Sequence, residues 1–490
     1  MKPRNELSFI KLTPLYLAAA ALFCSLVDAA DWPQWRGPNR DAKATDFKAP
    51  TVWPKALTQK WKVTVGDGVA TPALVGDKLY VFSRVEGDEV TRCLNASDGK
   101  ELWQDKYESL GASGPASQHS GPRSSPAVAN GKVVTLGVRG MLSCLDAASG
   151  KKLWRKDDFH AYPSFFPSSS PMIVDGLAIA QLGGRDNGAI VAYDLATGDE
   201  KWKWSGPSPA YGSPVLLIIG GTKLVVASTD TKLVAVNAAD GKLAWESVAA
   251  PQGGGPGGPG GPGGGGPGGG RGMGGGGQDR KAATPIVDGE IIITAGRGVK
   301  AVKLEKDKDK FVARELWSNP DKSVQFNTPV LKNGMLYGLS SDLFCINAKD
   351  GKTAWSAPLP SNAPLRGAID LPAFAPVFAG LQTPADPAAP GNPGRPAGPG
   401  GPGGPGGPGG RGGRGGGGGG GGFGSIVDAG SVLLALTPAS QLIVFEPSDK
   451  EFKQVASYKV AETPTHAHPI ASGNRLFIKD KDSVILWTIE

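Results

Sequence analysis

The sequence predicts an all-β protein, an eight-bladed β-propeller of four-stranded antiparallel blades that is closed by an N-terminal strand. Three observations predict this fold class: a repeat of about 44 residues, a proline near the start of each repeat, and a tight turn followed by tryptophan near its end. Each repeat also contains three or four short alternating apolar runs between Gly, Asn and Asp turns, which indicate antiparallel strands. A unit of that length with four strands is one propeller blade.

The first element of each repeat is a proline ahead of a short apolar run. Proline lacks an amide hydrogen, so it suits the first position of the innermost strand of a blade. The members of this set are Pro72, Pro126, Pro171, Pro214, Pro285, Pro329 and Pro469, with Ile426 in place of the missing one. The intervals between them are 54, 45, 43, 71, 44, 97 and 43 residues, so two repeats carry long insertions.

The last element of each repeat is a turn followed by a tryptophan. Residues 95–99 read Asn-Ala-Ser-Asp-Gly, and glycine permits the positive φ that such a turn needs. We expect each tryptophan to lie flat between neighbouring blades, where it buries on the order of 200 Å². The tryptophans that follow this turn are Trp103, Trp154, Trp202, Trp245 and Trp355. The seventh repeat is degenerate, with Phe452 and Tyr458 where a tryptophan is expected.

The ends of the repeat array predict how the ring closes. The last repeat stops without a tryptophan-bearing strand, and residues 58–61, Thr-Gln-Lys-Trp, resemble that missing strand. We therefore expect the N-terminal strand to complete the last blade.

Three cysteines share one position in the third strand of their repeats. We expect them to act as small buried hydrophobic residues and to form no disulfides. They are Cys93, Cys144 and Cys345.

The glycine content reflects two insertions into an otherwise ordinary globular chain. Of the 74 glycines in 490 residues, 41 lie in the windows 253–277 and 391–424. The insertions, at about 250–279 and 384–424, follow closing tryptophans, so we expect flexible loops between blades. The second contains an Arg-Gly-Gly-Arg run, typical of nucleic-acid-binding segments. Export and the mild net charge of +7 argue against a nucleic-acid partner.

Residues 1–29 are predicted to be a secretory signal peptide. Basic residues precede an apolar run over 12–27 that ends in small residues near Ala29. The run is shorter than a membrane span, and Phe23 ahead of Cys24 disfavours a lipid anchor. We expect a periplasmic or secreted monomer without a transmembrane segment, with an N-terminal extension over 30–56 and the propeller over 57–490.

The repeat resembles that of the quinoprotein, or PQQ-repeat, eight-bladed propellers. The shared form is Pro-x-Val, Gly-x-Val-Tyr and then Leu-x-x-Leu-Asp-Ala-x-x-Gly-Lys-x-x-Trp, and the resemblance covers roughly 57–490. The run over 32–39, Trp-Pro-Gln-Trp-Arg-Gly-Pro-Asn, resembles the N-terminal motif of exported PQQ-like repeat proteins common in Planctomycetes.

This resemblance implies one of two functions. One branch contains the PQQ-dependent alcohol dehydrogenases, and the other contains BamB-type outer-membrane assembly lipoproteins, which bind protein partners. The chain has no Cys-Cys pair and no recognisable acidic and amide set for Ca²⁺, and it also lacks the lipid-anchor motif. We expect an exported, non-catalytic scaffold without a cofactor, which binds envelope proteins or another ligand on its loop face. The resemblance to the second branch implies a role in envelope assembly. The alternative is a dehydrogenase that uses PQQ with Ca²⁺ at an atypical site, and a carbohydrate binder is a third option.

One face of the ring is predicted to carry arginines. In a four-stranded blade, the loops between blades and the loops joining the second and third strands open on the same face. Guanidinium groups bind carboxylates and phosphates bidentately, so this rim would suit an anionic ligand. Arginines just past the second strand are Arg84, Arg139, Arg185 and Arg297, joined by Arg123 and Arg280 from the other loops. Alternatively, they are solvated turn residues that pair with neighbours such as Asp186.

The interblade loops supply the remaining candidate ligand-binding residues. These are Tyr211, Gln325, Asn327, His466 and His468, with His119 and Tyr162 in the same loops. The His-x-His spacing would put both imidazoles on one side of a strand, as in half of a metal site. No third ligand is visible, so we expect no metal. No Ser-His-Asp arrangement, phosphate loop or carboxylate pair is present, so we predict no catalytic residue.

Overall fold

The computed structural model describes residues 31–247, 282–324, 326–359 and 424–490. The predicted signal peptide, nearly all of both glycine-rich insertions, Arg280 and Gln325 lie outside these residues. The described chain forms eight four-stranded sheets arranged as a ring, so the predicted eight-bladed propeller is confirmed. A short 3₁₀ helix, Gly114–Ala116, lies in the loop between the first two blades.

The strand bounds follow the repeat along the chain. The N-terminal strand is β1 (Thr58–Thr64), and the first blade contains β2 (Ala73–Val75), β3 (Lys78–Val85), β4 (Asp88–Asn95) and β5 (Glu101–Glu108). The second blade contains β6 (Ala127–Ala129), β7 (Lys132–Leu136), β8 (Leu142–Asp146) and β9 (Lys152–Lys156). The third blade contains β10 (Met172–Val174), β11 (Leu177–Leu182), β12 (Gly188–Asp194) and β13 (Glu200–Gly206). The fourth blade contains β14 (Val215–Ile219), β15 (Thr222–Ser228), β16 (Leu233–Asn237) and β17 (Leu243–Glu246).

The second half of the ring repeats this arrangement. The fifth blade contains β18 (Ile286–Asp288), β19 (Ile291–Ala295), β20 (Val299–Asp307) and β21 (Lys310–Asn319). The sixth blade contains β22 (Val330–Lys332), β23 (Met335–Leu339), β24 (Asp342–Asn347) and β25 (Thr353–Pro358). The seventh blade contains β26 (Ser425–Ala429), β27 (Val432–Leu436), β28 (Gln441–Glu446) and β29 (Lys453–Lys459). The eighth blade contains β30 (Ile470–Ser472), β31 (Arg475–Lys479) and β32 (Ser483–Thr488), with β1 as its outermost strand.

The ring closes as the sequence predicts. Strand β1 pairs antiparallel with β32, from Thr58 opposite Thr488 to Thr64 opposite Ser483. The first and last segments of the propeller therefore share one sheet.

We call the face with the interblade loops and the second-to-third strand loops the loop face. The opposite face, with the other hairpin turns, is the turn face.

The tryptophan and glycine of neighbouring blades pack together, as the repeat predicts. Trp154 Nε1 donates to the carbonyl oxygen of Leu195 in the next blade, at 3.1 Å. Its ring covers Gly198, which has a φ of +78° and lies so close that an added Cβ would be 2.7 Å from Trp154 Cγ. Trp61, Trp103, Trp202 and Trp317 make the same kind of bond to the next blade.

A β-bulge precedes the tryptophan position in the outer strand pair of every blade. In the second blade, for example, the register shifts between Cys144, which pairs with Trp154, and Leu145. A bulge re-aims the following side chain, and here it turns the ring toward the next blade. The same shift distorts the exposed outer edge and makes it a poorer template for pairing with another chain. The other seven shifts are at the equivalent positions.

Two blades keep this bulge but depart from the packing of a tryptophan against a glycine turn. In the seventh blade, Ala456 occupies the tryptophan position, opposite Val444, so neither Phe452 nor Tyr458 takes it. The Tyr458 ring lies 6.2 Å from Trp53, and its hydroxyl donates to the Pro54 carbonyl at 2.7 Å, so the N-terminal extension supplies the missing indole.

In the fifth blade, the long β20–β21 hairpin replaces the Gly turn. Phe311 from this hairpin packs in the same cluster as Trp245 of the fourth blade.

The three cysteines are fully buried in third strands, as predicted. Burial raises the pKa of the Cys93 thiol to about 11, which keeps it protonated and unreactive at neutral pH.

Candidate functional site

The N-terminal extension fills the axial channel of the propeller instead of lying outside the ring. It enters at the turn face, where the Gly76 amide in the β2–β3 turn donates to Asp31 Oδ1 at 2.7 Å. Trp32 then pairs through its main chain with Leu74 of the innermost strand β2, and its indole is buried. The Pro33 carbonyl accepts from the amide of Val128 in the second blade at 2.8 Å.

The chain reverses direction near the loop face. Arg36, Gly37, Arg40 and Ala42 all have positive φ values, between 58° and 81°, which fold 36–42 into a tight loop. Gly37 packs against the Trp32 ring, where an added Cβ would be 3.4 Å from the indole carbons. Positive φ at three non-glycine residues is strained, and such strain persists only when the surroundings hold it.

The chain then returns through the channel and leaves by the turn face. The Asp428 amide in β26 donates to the Ala42 carbonyl, and the Ala44 amide donates to the Asp428 carbonyl, both at 2.8 Å. Farther along, the Lys48 amide donates to the carbonyl of Gly473, in the β30–β31 turn, at 2.8 Å. We call residues 31–48 the axial loop.

Arg36 is buried in a cradle of main-chain carbonyl groups. Its side chain is 1% exposed, and its Nη1 and Nη2 donate to the carbonyls of Thr328 and Pro329, each at 2.9 Å. Nε donates to the Arg40 carbonyl at 3.3 Å. Burial lowers the pKa of Arg36 to about 10, with Asp41 opposing the shift, so the guanidinium is charged at neutral pH.

Arg40 occupies a second cradle across the channel. It is 4% exposed, and its Nη1 donates to the carbonyls of Pro214 at 2.9 Å and Ser170 at 3.2 Å. Nη2 donates to the Pro171 carbonyl, and Nε donates to Gln34 Oε1 at 2.9 Å. Burial lowers the pKa of Arg40 to about 9, which still leaves it mostly charged at neutral pH.

A belt of hydroxyl groups lines the channel at the level of these cradles, from the eighth blade through the first to the sixth. The residue ahead of most opening prolines is Ser or Thr, and its hydroxyl accepts from the amide of the same residue in the preceding blade. The bonds run from Thr71 to Ser125, from Ser125 to Ser170, from Ser170 to Ser213, from Ser213 to Thr284, from Thr284 to Thr328 and from His468 to Thr71, at 2.9–3.2 Å. This belt joins the entrances of neighbouring inner strands.

The tip of the axial loop forms the floor of a mouth on the loop face. Pro38 and Asn39 are exposed there. Trp35 is half-buried, and its Nε1 donates to Thr284 Oγ1 at 3.0 Å. The Trp35 ring meets the edge of His468 at a centroid distance of 4.6 Å. His468 is buried, and burial together with Arg36 holds its pKa well below the usual range, so this imidazole is neutral.

Three of the predicted rim arginines hold the loop between the first two blades. Arg84 lies within β3, not past it, and donates to the Ser109 carbonyl. Arg123 donates to the carbonyls of Ala116 and His119, both at 2.9 Å, and Arg139 donates to those of Leu110 and Gly111 at 3.2 and 3.1 Å. These guanidinium groups fix the conformation of residues 109–121.

The other two predicted rim arginines within the described residues are exposed. Arg185 and Arg297 lie in their second-to-third strand loops, and neither forms an ion pair with any residue in the described ranges. Arg139 stacks over the rings of Phe166 and Tyr162, at 4.9 and 5.6 Å. The structure thus separates the predicted rim into loop-fixing arginines and free ones.

The remaining predicted residues line the mouth in different ways. The Tyr211 hydroxyl accepts from the Phe165 amide at 3.2 Å, and buried Asn327 donates to the Leu339 carbonyl. His466 meets the edge of His119 at 4.9 Å, whereas His468 meets Trp35.

The mouth also contains a contact between an imidazole and a carboxylate. His119 Nδ1 lies 3.8 Å from Asp67 Oδ1. Burial would raise the pKa of Asp67, but the nearby His119 and the hydrogen bonds from Ser120 outweigh it and hold that pKa well below its usual range. Burial, with a smaller contribution from His119, lowers the pKa of His466 to about 4. Across the described ranges, no three His, Cys, Asp or Glu side chains are grouped as a metal site would require.

The residues on the axis do not fit a quinone with Ca²⁺. Trp32, Arg36 and Arg40 occupy the space between the inner strands, and the two guanidinium groups are already bonded to carbonyls. Sequence reasoning missed this arrangement, although the Ser-Pro and Thr-Pro dipeptides, Arg36 of the N-terminal motif and Arg40 directly after it were visible in the sequence. Among the residues placed in the structure, no helix is both long and apolar enough to cross a bilayer.

Comparison with known proteins finds relatives of two kinds. Quinohemoprotein alcohol dehydrogenase ADH-IIG of Pseudomonas putida is 29% identical over 39% of this chain and 27% of its own length. Outer membrane protein assembly factor BamB of Shewanella oneidensis is 24% identical over 42% of this chain and 51% of its own length. The chain thus spans between about a quarter and a half of these two curated relatives.

The solved structures agree on the fold. Quinohemoprotein alcohol dehydrogenase from Comamonas testosteroni superposes with a TM-score of 0.57, over 94% of this chain and 80% of that one, at 14% identity. Identity that low shows the shared fold alone. A family model described as outer membrane protein assembly factor BamB matches residues 86–357, more than half of the sequence. The chain therefore belongs to this BamB-type family of PQQ-like repeat propellers.

Proposed function

We propose that the protein is an exported, non-catalytic envelope scaffold that binds a protein partner on its loop face. The observation that carries this proposal is the axial loop, which fills the channel with the chain's own Trp32, Arg36 and Arg40. A small-molecule site on the axis would require this loop to leave. The name of the BamB relatives, outer membrane assembly factors, supports a role in envelope assembly.

The loop face has features suited to binding a macromolecule. Arg84, Arg123 and Arg139 hold residues 109–121 in place, so this loop loses little freedom when it binds. Leu110 in this loop is 74% exposed and presents an apolar side chain beside the fixed arginines. The fixed conformation of this loop is the feature that favours binding.

Within this surface we assign the predicted residues three different roles. Arg185 and Arg297 contact carboxylates of the partner, because their guanidinium groups are exposed and make no ion pair within the described ranges. Arg84, Arg123 and Arg139 position the loop through its carbonyl groups. Tyr211, Asn327, His466 and His468 shape the mouth.

A capture experiment from envelope extract tests the proposal. The wild-type protein and two variants are immobilised: Arg185→Ala with Arg297→Ala, and Arg314→Ala as the matched control. Arg314 is exposed in the outer strand β21, away from the loop face. We expect the wild type and the control to retain the same envelope protein and the double variant to lose it, at unchanged melting temperature. Equal retention by all three proteins would remove the exposed arginines from the interface.

A second candidate function is supported by the identity to quinohemoprotein alcohol dehydrogenase ADH-IIG. A PQQ-dependent reaction here would need a site away from the axis, or a chain whose axial loop has been displaced. We regard the scaffold as the better proposal, because the buried arginines of the axial loop are satisfied by this chain's own carbonyls.

A further inference from the structure

We propose that the axial channel is a peptide-binding site, and that its ligand is the chain's own axial loop. The ligand class is a tight peptide loop that carries two arginines four residues apart, with a tryptophan ahead of them. This inference goes beyond the scaffold proposal and does not depend on any external partner.

Every blade contributes to the contact surface of this site. The axial loop bonds or packs against Leu74, Val128, Pro171, Pro214, Thr284, Pro329, Asp428 and His468, one residue from each of the eight blades in order. Most of these contacts use main-chain groups at the start of the short inner strands. The site therefore requires the closed ring, and the loop bridges all of it.

The two cradles give the site its chemical selectivity. Each guanidinium is planar and has five N–H donors, so it can donate to several carbonyls in one plane. An ammonium group cannot reproduce this planar arrangement of donors. Arg36 donates to two carbonyls of the sixth blade, and Arg40 donates to carbonyls of the third and fourth blades. Neither arginine forms an ion pair among the described residues. Recognition thus rests on carbonyl groups and not on carboxylates.

The path of the chain makes the loop separable from the ring. It enters and leaves through the turn face, and residues 49–57 connect it to β1. Thr51 and Val52 in this connection are exposed, Val52 by 81%. A cut there would leave β1 paired with β32 and would leave the axial loop held only by its contacts in the channel and on the turn face.

The test uses a full-length protein with a specific protease site inserted after Val52. The folded protein is cleaved and passed over a gel-filtration column. We expect the fragment ending at Val52 to stay with the ring. A labelled synthetic peptide of residues 31–52 should then exchange into the cleaved ring. A peptide with Arg36→Ala and Arg40→Ala should compete at least about 100-fold more weakly, equivalent to about 2.8 kcal/mol, because it leaves the buried carbonyls of both cradles without their charged donors.

The controls separate binding from folding. The uncleaved insertion protein should exclude the labelled peptide, because its own loop occupies the channel. The substitutions are carried by the competing peptide and not by the ring, so the result does not depend on whether an arginine variant folds. Immediate loss of the fragment from a ring that stays folded would overturn the proposal. Equal competition by the two peptides would overturn the role of the cradles.

Discussion

Replacing Gly198 by alanine tests the packing of tryptophan against glycine that joins the blades. Gly198 and Gly176 have the same φ, +78°, so alanine is equally strained in the backbone at both positions. At Gly198 the new Cβ would lie 2.7 Å from Cγ and 2.9 Å from Cδ2 of the Trp154 ring, whereas at Gly176 it would meet no atom within 4 Å. Gly176→Ala is therefore a matched control for the backbone effect alone.

The expected losses follow from these distances. A left-handed conformation costs an alanine about 1–2 kcal/mol at either site. The contact with the indole adds about 1–3 kcal/mol at Gly198, because the ring must shift and its bond to the Leu195 carbonyl is disturbed. We expect Gly198→Ala to lose about 2–5 kcal/mol of unfolding free energy and Gly176→Ala about 1–2 kcal/mol.

Urea unfolding followed by tryptophan fluorescence and circular dichroism measures this difference. Both variants are compared with the wild type at the same pH and salt concentration, and the transition slopes are checked for equality before midpoints are converted to free energies. Equal losses in the two variants would refute the interblade packing argument, because Gly198 faces an aromatic ring and Gly176 does not.

Three further predictions follow from the channel, the mouth and the third strands. Arg36→Ala should lower the unfolding free energy by about 3 kcal/mol in urea titrations, because it leaves buried carbonyls without donors, and Arg36→Lys should restore only part of it. Stability should fall as the pH drops from 6.5 toward 4, because the unfolded chain protonates His466 at its ordinary pKa of 6.5 while the folded chain holds that pKa near 4. His466→Gln should flatten this pH dependence in thermal melts, and an unchanged slope would contradict the assignment. Thiol reagents should label none of Cys93, Cys144 and Cys345 before unfolding, and labelling of any of the three in the native protein would contradict their burial.

The repeat made most of the fold predictable, because its signals are local. A turn, a glycine with positive φ and a tryptophan recur where the geometry of each blade needs them, and the incomplete last repeat indicated the closing role of β1. The seventh blade was harder to predict, because Trp53 from outside the repeat replaces its missing indole.

The candidate site was less predictable, because side-chain direction is not a property of the repeat. Arg84 and Arg185 were predicted as equivalent, but β3 extends to Val85, so Arg84 stays in the strand and bonds to a carbonyl while Arg185 is exposed. The axial loop was not predicted at all. Its two buried arginines donate mainly to main-chain carbonyls, which for Arg36 lie as far as 293 residues away in sequence, and main-chain groups leave no residue-specific signal.

A titration of the purified, full-length protein with PQQ in the presence of Ca²⁺ tests the central claim that the chain closes its own axial channel. Quinone absorbance reports binding, and reduction of an electron-accepting dye by alcohols or sugars reports turnover. The arrangement of Trp32, Arg36 and Arg40 predicts no saturable binding and no dye reduction. Saturable binding accompanied by substrate-dependent dye reduction would contradict it.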